Sequence, residues 1–224
     1  MVYDERAVRD NLRNKDGKRV FYLAEGDRLT PSARDWLSGQ GIQVLPAVSA
    51  RPGRYRILGG GSCREKPEHM THLNAELLAP KTHPRIAFRG ALDLLEAELI
   101  LCKLNTGIQQ LQDALELARR IMKCDVLQEP LGAYTLGGLD GQQLRKQSQF
   151  PQEFFGIAHF MPEADQGAAM AWLNRCRCVA RQTELAACRA YEGLRHGMER
   201  TDLVEALNRM SSFLYILMLK EKAK

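Results

Sequence analysis

Apolar residues at helical spacing fill four long segments in the second part of the chain. In each segment they recur every three or four positions, which places them on one face of an α-helix. The segments are Arg85 to Leu104, Ile108 to Met122, Ala164 to Leu194 and Asp202 to Leu219. Helices of this kind bury their apolar faces by packing side by side. The pattern therefore predicts a mainly α fold, a helical bundle of four to five helices, with a glycine-rich connection at 132–141 and an aromatic loop at 149–162.

The residues before this region predict a small mixed α+β unit. Three short runs favour strands: Arg19 to Leu23, Ile42 to Leu45 and Arg54 to Leu58. Thr30 followed by Pro31 is typical of a helix start, because threonine caps free N–H groups and proline suits the first helical position. The triple glycine at 59–61 predicts a flexible connector, and a phosphate-binding loop is the alternative. We expect the α+β unit over residues 1–62 and the bundle over residues 63–224.

Charge and hydropathy argue against three classes of protein: nucleic-acid-binding, membrane-spanning and secreted. The 224 residues include 32 Lys+Arg and 27 Asp+Glu, a formal net charge of +5. This mild excess suits an anionic ligand such as a nucleotide triphosphate, but it is too dispersed for a nucleic-acid-binding protein. No apolar run reaches the 18 residues or so that a membrane span needs. The charged first 13 residues lack the apolar stretch of a secretory signal. We expect a cytoplasmic protein with no nucleic-acid or membrane partner.

The cysteines do not form a metal-binding pattern. They lie at positions 63, 102, 124, 176, 178 and 188, and none belongs to a C-x-x-C pair. Cys176 and Cys178 are two positions apart on a helix, so their side chains face different directions and make a poor metal clamp. The sequence predicts reduced, buried thiols and no structural metal site.

A polar stripe runs along the third long helical segment. Its members are Asn174, Arg177, Arg181 and Glu184. Their spacing keeps them within one face of a helix. Two arginines four positions apart repel each other unless an anion lies between them, and a polyphosphate would satisfy both guanidinium groups. A solvated helix face is the alternative that the spacing leaves open.

The first long helical segment carries a second polar stripe. Its members are Arg85, Arg89, Asp93 and Glu96. Leucines flank Asp93, which predicts a partly buried carboxylate that needs a cationic partner. Two partners are open: an arginine of the first stripe on another helix, or Arg89 one turn earlier on the same helix.

These stripes resemble motifs of the ATP:corrinoid adenosyltransferases of the propanediol-utilisation type, and more closely those of their ethanolamine-utilisation relatives. The helix motif L-H-x-A-R-x-x-x-R-R-A-E-R reads L-N-R-C-R-C-V-A-R-Q-T-E-L over 173–185. The C-terminal motif N-R-L-S-D reads N-R-M-S-S over 208–212, where the aspartate is lost. Upstream, the family's T-S-L, K-x-x-P-R and G-x-x-D resemble T-H-L at 71–73, K-T-H-P-R at 81–85 and G-A-L-D at 90–93. Ethanolamine-type relatives also share R-L-T-P-S-A at 28–33 and E-P-L-G at 129–132.

The resemblance implies a nucleotide site made by five residues. Thr71 and Lys81 would bind the phosphates of ATP, which is expected to carry Mg²⁺. Arg181 and Asn208 would complete the site, and Glu184 would support it. The family's glycine-rich G-D-x-G turn is absent before Thr71, so side chains would carry more of the phosphate binding.

The resemblance also implies a corrinoid site beside the nucleotide. Asp93 would pair with Arg177 at the floor where cobalamin meets ATP, and both would act in catalysis together with Arg181. An aromatic residue just before a proline would lie beneath the corrin ring, and His159 and Phe160 are the two candidates. Some relatives bind a divalent metal through a histidine and a C-C-x-x-C run, but this chain has only Cys63 in that region.

The implied reaction is attack of cob(I)alamin on C5′ of ATP, which gives adenosylcobalamin and triphosphate. A flavoprotein or a ferredoxin-type reductant would reduce the cobalt. The family also implies a homo-oligomer, a trimer or a dimer, with the site at or near a subunit interface. The protein would act in the cytoplasm, and the interior of a bacterial microcompartment is the alternative location. The rival hypothesis is a non-catalytic helical-bundle interaction or scaffold protein of such a microcompartment.

Overall fold

The structure is a computed structural model that describes residues 2–15, 17–24, 26–46, 55–193 and 197–224. The chain divides into two compact units, Met1–Pro67 and Glu68–Lys224. Each unit has its own hydrophobic core. Arg54 and Leu194, which bound two of the predicted segments, lie outside the described residues.

The first unit is a small α+β assembly, as predicted. Its strands are β1 (Val2–Tyr3), β2 (Arg13–Lys15), β3 (Lys18–Leu23), β4 (Arg28–Leu29), β5 (Gln43–Pro46), β6 (Tyr55–Ile57) and β7 (Ser62–Cys63). Its helices are α1 (Glu5–Asp10) and α2 (Pro31–Gly39). In the three-stranded sheet, β3 lies between β2, which is antiparallel to it, and β5, which is parallel. The parallel pair is joined through α2, as a crossover connection requires.

Local sequence determines where α2 begins. Thr30 Oγ1 accepts a hydrogen bond from the backbone N–H of Ala33 at 3.3 Å, and Pro31 occupies the first helical turn. This confirms the predicted helix start. The helix buries Ala33 and Leu37 against Phe21 of the sheet. Burying such side chains is worth about 1.5–3 kcal/mol each for the larger ones.

The triple glycine is a hairpin turn, so the predicted flexible connector is wrong. β6 and β7 pair in antiparallel fashion on either side of it. The backbone N–H of Gly60 donates to Ile57 O at 3.0 Å, and that of Ile57 donates to Gly61 O at 3.2 Å. All three glycines have positive φ, 91°, 117° and 87°, which residues with a side chain rarely adopt.

The second unit is a helical bundle, which confirms the predicted mainly α fold. Its helices are α3 (Pro84–Thr106), α4 (Leu111–Leu127), α5 (Gly141–Gln149), α6 (Pro151–Phe155), α7 (Gly167–Tyr191) and α8 (Thr201–Lys222). Two short hairpins accompany them, β8 (Met70–His72) with β9 (Leu77–Pro80), and β10 (Glu192–Gly193) with β11 (Gly197–Met198). α7 packs against α3 on one side and α8 on the other, α4 packs on α3, and α5 on α8.

The four long helices lie where the periodicity predicts them, with shifts at their ends. α4 begins three residues later than expected, at Leu111, and α7 follows a single 3₁₀ turn, Ala164–Gln166. The predicted loop 149–162 contains α6, and α5 precedes it. α5 escaped prediction because its sequence, G-Q-Q-L-R-K-Q-S-Q, has one apolar residue, Leu144, which is buried. Its start is nevertheless fixed by Asp140, which accepts hydrogen bonds from the N–H groups of Gln142 and Gln143 at 2.9 Å.

The core of the bundle is built from the apolar faces of α3, α4, α7 and α8. Phe88, Leu95, Ile121 and Leu214 are all fully buried. Such a core is packed at high density, with few voids. Among the described residues, no helix is both long enough and apolar enough to cross a bilayer.

Candidate functional site

A pocket of about 550 Å³ opens along the groove between α7 and α8. The loop after α6 forms its third side. The pocket is lined by Ser148, His159, Phe160, Met161, Pro162, Arg177, Arg181, Glu184, Leu185, Asn208, Ser211, Ser212, Tyr215 and Met218. One side is therefore basic and polar, and the other is aromatic and apolar, as a ligand with an anionic part and a large ring would require.

Two arginines of α7 make the basic side of the pocket. Arg177 is half-buried, and its Nε and Nη2 donate to Asn174 Oδ1 at 3.1 and 2.8 Å. Arg181 is exposed one turn later. Within the described parts of the chain, neither arginine forms an ion pair with a carboxylate. Both charges are therefore available to an anionic ligand, and Asn174 orients the first of them.

An amide and a carboxylate join α8 to α7 at the same pocket. Asn208 Nδ2 donates to Glu184 Oε1 at 2.9 Å. This hydrogen bond orients the amide, so that its oxygen is left to accept from a ligand. Ser212, one turn after Asn208, also lines the pocket, which is the shared face that the helical spacing predicts.

The aromatic side of the pocket is organised around Tyr215 of α8. Its ring stacks on those of His159 and Phe160, at centroid distances of 5.8 and 5.9 Å and interplanar angles of 15° and 29°. Its hydroxyl lies 3.1 Å from His159 Nδ1, and His159 Nε2 lies 3.3 Å from Gln149 O. Both ring nitrogens of His159 are thus engaged. Phe160 presents only a hydrocarbon ring to the pocket, so it is the residue suited to form an apolar wall.

Phe160 has a second contact, with a lysine of α8. Lys222 Nζ lies 4.0 Å from the centroid of the Phe160 ring, a distance typical of a cation–π contact. The neighbouring Met161 is 78% exposed at the pocket. An exposed methionine beside a fixed aromatic ring is a flexible apolar surface of the kind that accepts a bulky ligand.

Six residues proposed from the sequence therefore line one pocket: Arg177, Arg181, Glu184, Asn208, His159 and Phe160. Three others do not line it: Asp93, Thr71 and Lys81. Thr71 lies on the β8–β9 hairpin, Lys81 directly follows it, and Asp93 lies on α3, the next element in the sequence.

Asp93 is exposed, so its predicted burial is wrong. Leu92 and Leu95 point into the core, but Leu94 is 49% exposed and Asp93 lies on the solvent side with it. Successive helical residues differ by about 100° in direction, so flanking leucines do not imply burial. Among the described residues, no hydrogen bond or ion pair joins Asp93 to Arg177 within the chain, and none joins it to Arg89.

Arg85 and Arg89 instead bind Asp125, a fully buried residue of α4 that sequence reasoning missed. Arg89 Nε donates to Asp125 Oδ2 at 2.5 Å, and Arg85 Nε donates to Oδ1 at 3.1 Å. The hydroxyl of Tyr191, at the end of α7, also donates to Oδ1. Burial alone would raise the pKa of Asp125, but these hydrogen bonds and the two positive charges outweigh it and hold the pKa below its ordinary value.

The β8–β9 hairpin carries Thr71 and leads to Lys81. Thr71 is paired with Ala79, and the backbone N–H of Lys81 donates to His69 O at 2.9 Å. His83 then caps α3 by accepting from Arg85 N at 3.2 Å. Burial, Arg85 and Arg89 all lower the pKa of His83, so the neutral ring that can accept this hydrogen bond is favoured.

Cysteines and carboxylates do not cluster at the pocket. Cys102, Cys124 and Cys176 are buried, but Cys178 is exposed, contrary to the expectation of buried thiols. Among the described residues, no group of three or more His, Cys, Asp or Glu side chains is close enough to hold a metal ion.

The sequence comparisons agree with the chemistry of the pocket. A family described as cobalamin adenosyltransferase matches residues 62–221, a range that includes every pocket residue. Corrinoid adenosyltransferase EutT of Escherichia coli (strain K12) is 28% identical over an alignment of 243 positions, which covers 97% of this chain and 91% of that protein. The protein of the same description from Salmonella typhimurium (strain LT2) gives the same values. No solved structure matches the chain. Since the family match spans well over half of its residues, the chain belongs to the cobalamin adenosyltransferase family.

Proposed function

We propose that this protein transfers the 5′-deoxyadenosyl group of ATP to cob(I)alamin, giving adenosylcobalamin and triphosphate. In this reaction the cobalt forms a bond to C5′ while the bond from C5′ to the triphosphate oxygen breaks. The observation that supports it best is the pocket, where two arginines without acidic partners in the described chain face an aromatic wall. An anion and a large ring system would be bound side by side.

The polar side would hold the nucleotide. Arg181 and Arg177 would stabilise the negative charge that develops on the leaving triphosphate, and a fixed cation is most effective where water is excluded. Asn208, oriented by Glu184 at 2.9 Å, would hydrogen-bond the nucleotide and help to align C5′. Mg²⁺ would arrive on the phosphates, since magnesium is commonly held by one or two carboxylates plus phosphate oxygens. Glu184 is a carboxylate of the pocket that could supply such a ligand.

The aromatic side would hold the corrinoid. Cob(I)alamin is itself the nucleophile, so the protein need not provide a nucleophile or a general base. Its task is to keep ligands away from the lower face of the cobalt, which makes Co(II) easier to reduce. Phe160, which contacts Tyr215 and Lys222, is the residue that we assign to this face. His159 is assigned a supporting role because both of its nitrogens are engaged.

Thr71, Lys81 and Asp93 would complete the site from a second copy of the chain. All three lie outside the pocket lining, and Lys81 and Asp93 are exposed. α3 also exposes an apolar surface next to Asp93, including Leu94 and Leu101, 49% and 43% exposed. A homo-oligomer, dimeric or trimeric, would cover this surface and bring Asp93 to a partner's arginine at the subunit interface.

We also propose a biological setting. The motifs that resemble those of ethanolamine-utilisation adenosyltransferases support a role in that pathway, in the cytoplasm or within a bacterial microcompartment. A flavoprotein or a ferredoxin-type protein would supply the electron that converts Co(II) to Co(I).

An anaerobic assay with ATP, cobalamin and a strong reductant tests the proposal. The spectrum of cob(I)alamin should convert to that of an alkylcobalamin with the unaltered chain. Arg181→Ala should lower the rate by roughly 10²–10³, the usual cost of removing one donor to a developing negative charge. Arg189→Ala is the matched control, since Arg189 is an exposed arginine of the same helix outside the pocket lining. If the purified chain shows no saturable ATP binding, the scaffold hypothesis is favoured instead.

A further inference from the structure

Asp125 does not line the pocket, yet its contacts lead to the residues that the proposed function assigns to the ATP phosphates. Arg89 is the link: its Nε donates to Asp125 Oδ2 at 2.5 Å, and its terminal nitrogens donate to the carbonyl oxygens of residues 72 and 73 at 3.2 and 2.8 Å. We propose that Asp125 is a positioning residue for nucleotide binding, because it holds, through Arg89, the hairpin that carries Thr71 and leads to Lys81. The inference rests on the proposed function.

Arg89 is one of the contacts that hold the hairpin in position. Three residue pairs join β8 to β9, and a hairpin this small gains its stability from packing against other elements. Arg89 reaches two successive carbonyls of the hairpin at once, which fixes both its distance from α3 and its orientation. A lysine cannot do this, since it lacks the planar fork of the guanidinium group.

Arg89 in turn depends on Asp125. Its side chain is only 14% exposed, as is that of Arg85 one turn earlier on α3. Two guanidinium groups this close repel each other unless a carboxylate lies between them. Asp125 lies there, fully buried, with one oxygen for Arg89 and the other for Arg85. Without the negative charge of Asp125, Arg89 would lose the interaction that holds its side chain in the orientation that faces the hairpin.

The same carboxylate ties the hairpin to the helix of the pocket. The hydroxyl of Tyr191, the last residue of α7, donates to Asp125 Oδ1. Arg181 and Glu184 lie on that helix. Asp125 therefore fixes hairpin and pocket helix relative to one another within one bundle. This holds whether the hairpin serves the pocket of its own chain or that of a second copy.

A purely structural role for Asp125 predicts something different. Lower stability of the bundle is expected on either account, but a purely structural role would weaken ATP and cobalamin binding alike. A positioning role predicts a selective loss of ATP affinity, because the hairpin is assigned to the phosphates and not to the corrin ring. Glu98 provides the matched control: it is also a buried carboxylate of the bundle bound to an arginine, with Arg175 Nε and Nη2 at 2.6 and 2.7 Å.

The test is a double-mutant cycle on the full chain, with Asp125→Asn, Lys81→Ala and the combination, beside Glu98→Gln. ATP and cobalamin affinities are each measured by calorimetry. Asp125→Asn should raise the Kd for ATP roughly tenfold, the size of a coupling between neighbouring groups, and leave the Kd for cobalamin unchanged. In the Lys81→Ala background, Asp125→Asn should raise the Kd for ATP little further, because the lysine that the hairpin positions is already absent. Amide hydrogen exchange of residues 70–81 should rise in Asp125→Asn and not in Glu98→Gln.

Three results would overturn the inference: an unchanged Kd for ATP, equal losses for ATP and cobalamin, or effects of Asp125→Asn and Lys81→Ala that simply add. If Asp125→Asn does not fold, Arg89→Lys gives the same test, since it keeps the charge beside Asp125 but loses one hairpin contact. An unaltered chain that binds no ATP would refute the proposed function itself. Normal ATP binding with an unchanged affinity in the variants would refute only the positioning role.

Discussion

Removing the charge of Asp125 should destabilise the helical unit more than most single substitutions do. Its side chain is fully buried, and the two arginines that it binds are each 14% exposed. Taking away one partner of a buried ion pair leaves the other charge without compensation, at a cost of about 3–5 kcal/mol. Asparagine keeps the shape and one oxygen that can accept from Tyr191. The free energy of unfolding that Asp125→Asn removes should therefore lie near the lower end of this range, at about 3 kcal/mol.

The tryptophans allow this loss to be measured in the helical unit alone. The chain has two, Trp36 on α2 of the first unit and Trp172 on α7, packed against the bundle core. In a Trp36→Phe background, fluorescence reports the unfolding of the bundle. A loss of about 3 kcal/mol corresponds to a fall of roughly 1–3 M in the urea midpoint, at the usual slopes. The slope itself should not change.

The effect of Asp125→Asn on the free energy of unfolding should also depend on pH, in a direction set by the pKa of Asp125. The folded-state pKa of Asp125 lies below the ordinary value of 3.8, so its charge stabilises the fold above that pH, and the contribution is lost as the pH falls through the folded pKa. Asparagine has no such contribution to lose. The difference in unfolding free energy between the unaltered chain and Asp125→Asn should therefore shrink as the pH falls below about 4. An unchanged midpoint at neutral pH, or a difference that widens on acidification, would refute the reasoning.

Three further substitutions test separate features. Phe160→Ala should slow conversion more when the assay starts from cob(II)alamin than from pre-reduced cob(I)alamin, because the apolar wall assists reduction; equal slowing would contradict its assignment to the lower face. Gly137→Ala should destabilise the bundle by roughly 1–3 kcal/mol, since φ is +59° and the new Cβ would lie 2.9 Å from Phe213 Cε2; an unchanged Trp172 unfolding curve would argue against that close approach. Thr30→Ala should cost the first unit about 1 kcal/mol by removing the cap of α2, measured by Trp36 fluorescence in a Trp172→Phe background, where no loss would mean that the cap is not needed.

Local patterns were sufficient for the elements that depend on local physics. The start of α2 follows from Thr30 and Pro31, whose effects act within one turn. Arg177, Arg181 and Glu184 line the same pocket because helical spacing alone aligns them. The polar α5 was missed because one buried leucine gives no periodicity to detect.

Contacts between distant segments were beyond the reach of the sequence. Asp125 binds Arg85 and Arg89, 40 and 36 residues earlier, and no spacing rule connects residues so far apart. The sequence offered Arg89 a nearer partner, Asp93, which turned out to be on the solvent side of α3. Which carboxylate an arginine binds is decided by the packing of α4 on α3, and that is a property of the whole bundle.

Anaerobic conversion of cob(I)alamin with ATP tests the proposed function most directly. The unaltered chain should give an alkylcobalamin spectrum and release triphosphate in equal amount, while Arg181→Ala loses most of this activity and Arg189→Ala keeps it. An unaltered chain that binds both substrates and forms no alkylcobalamin would contradict the proposed transfer. Full turnover by Arg181→Ala would contradict the role of the α7 arginines at its centre.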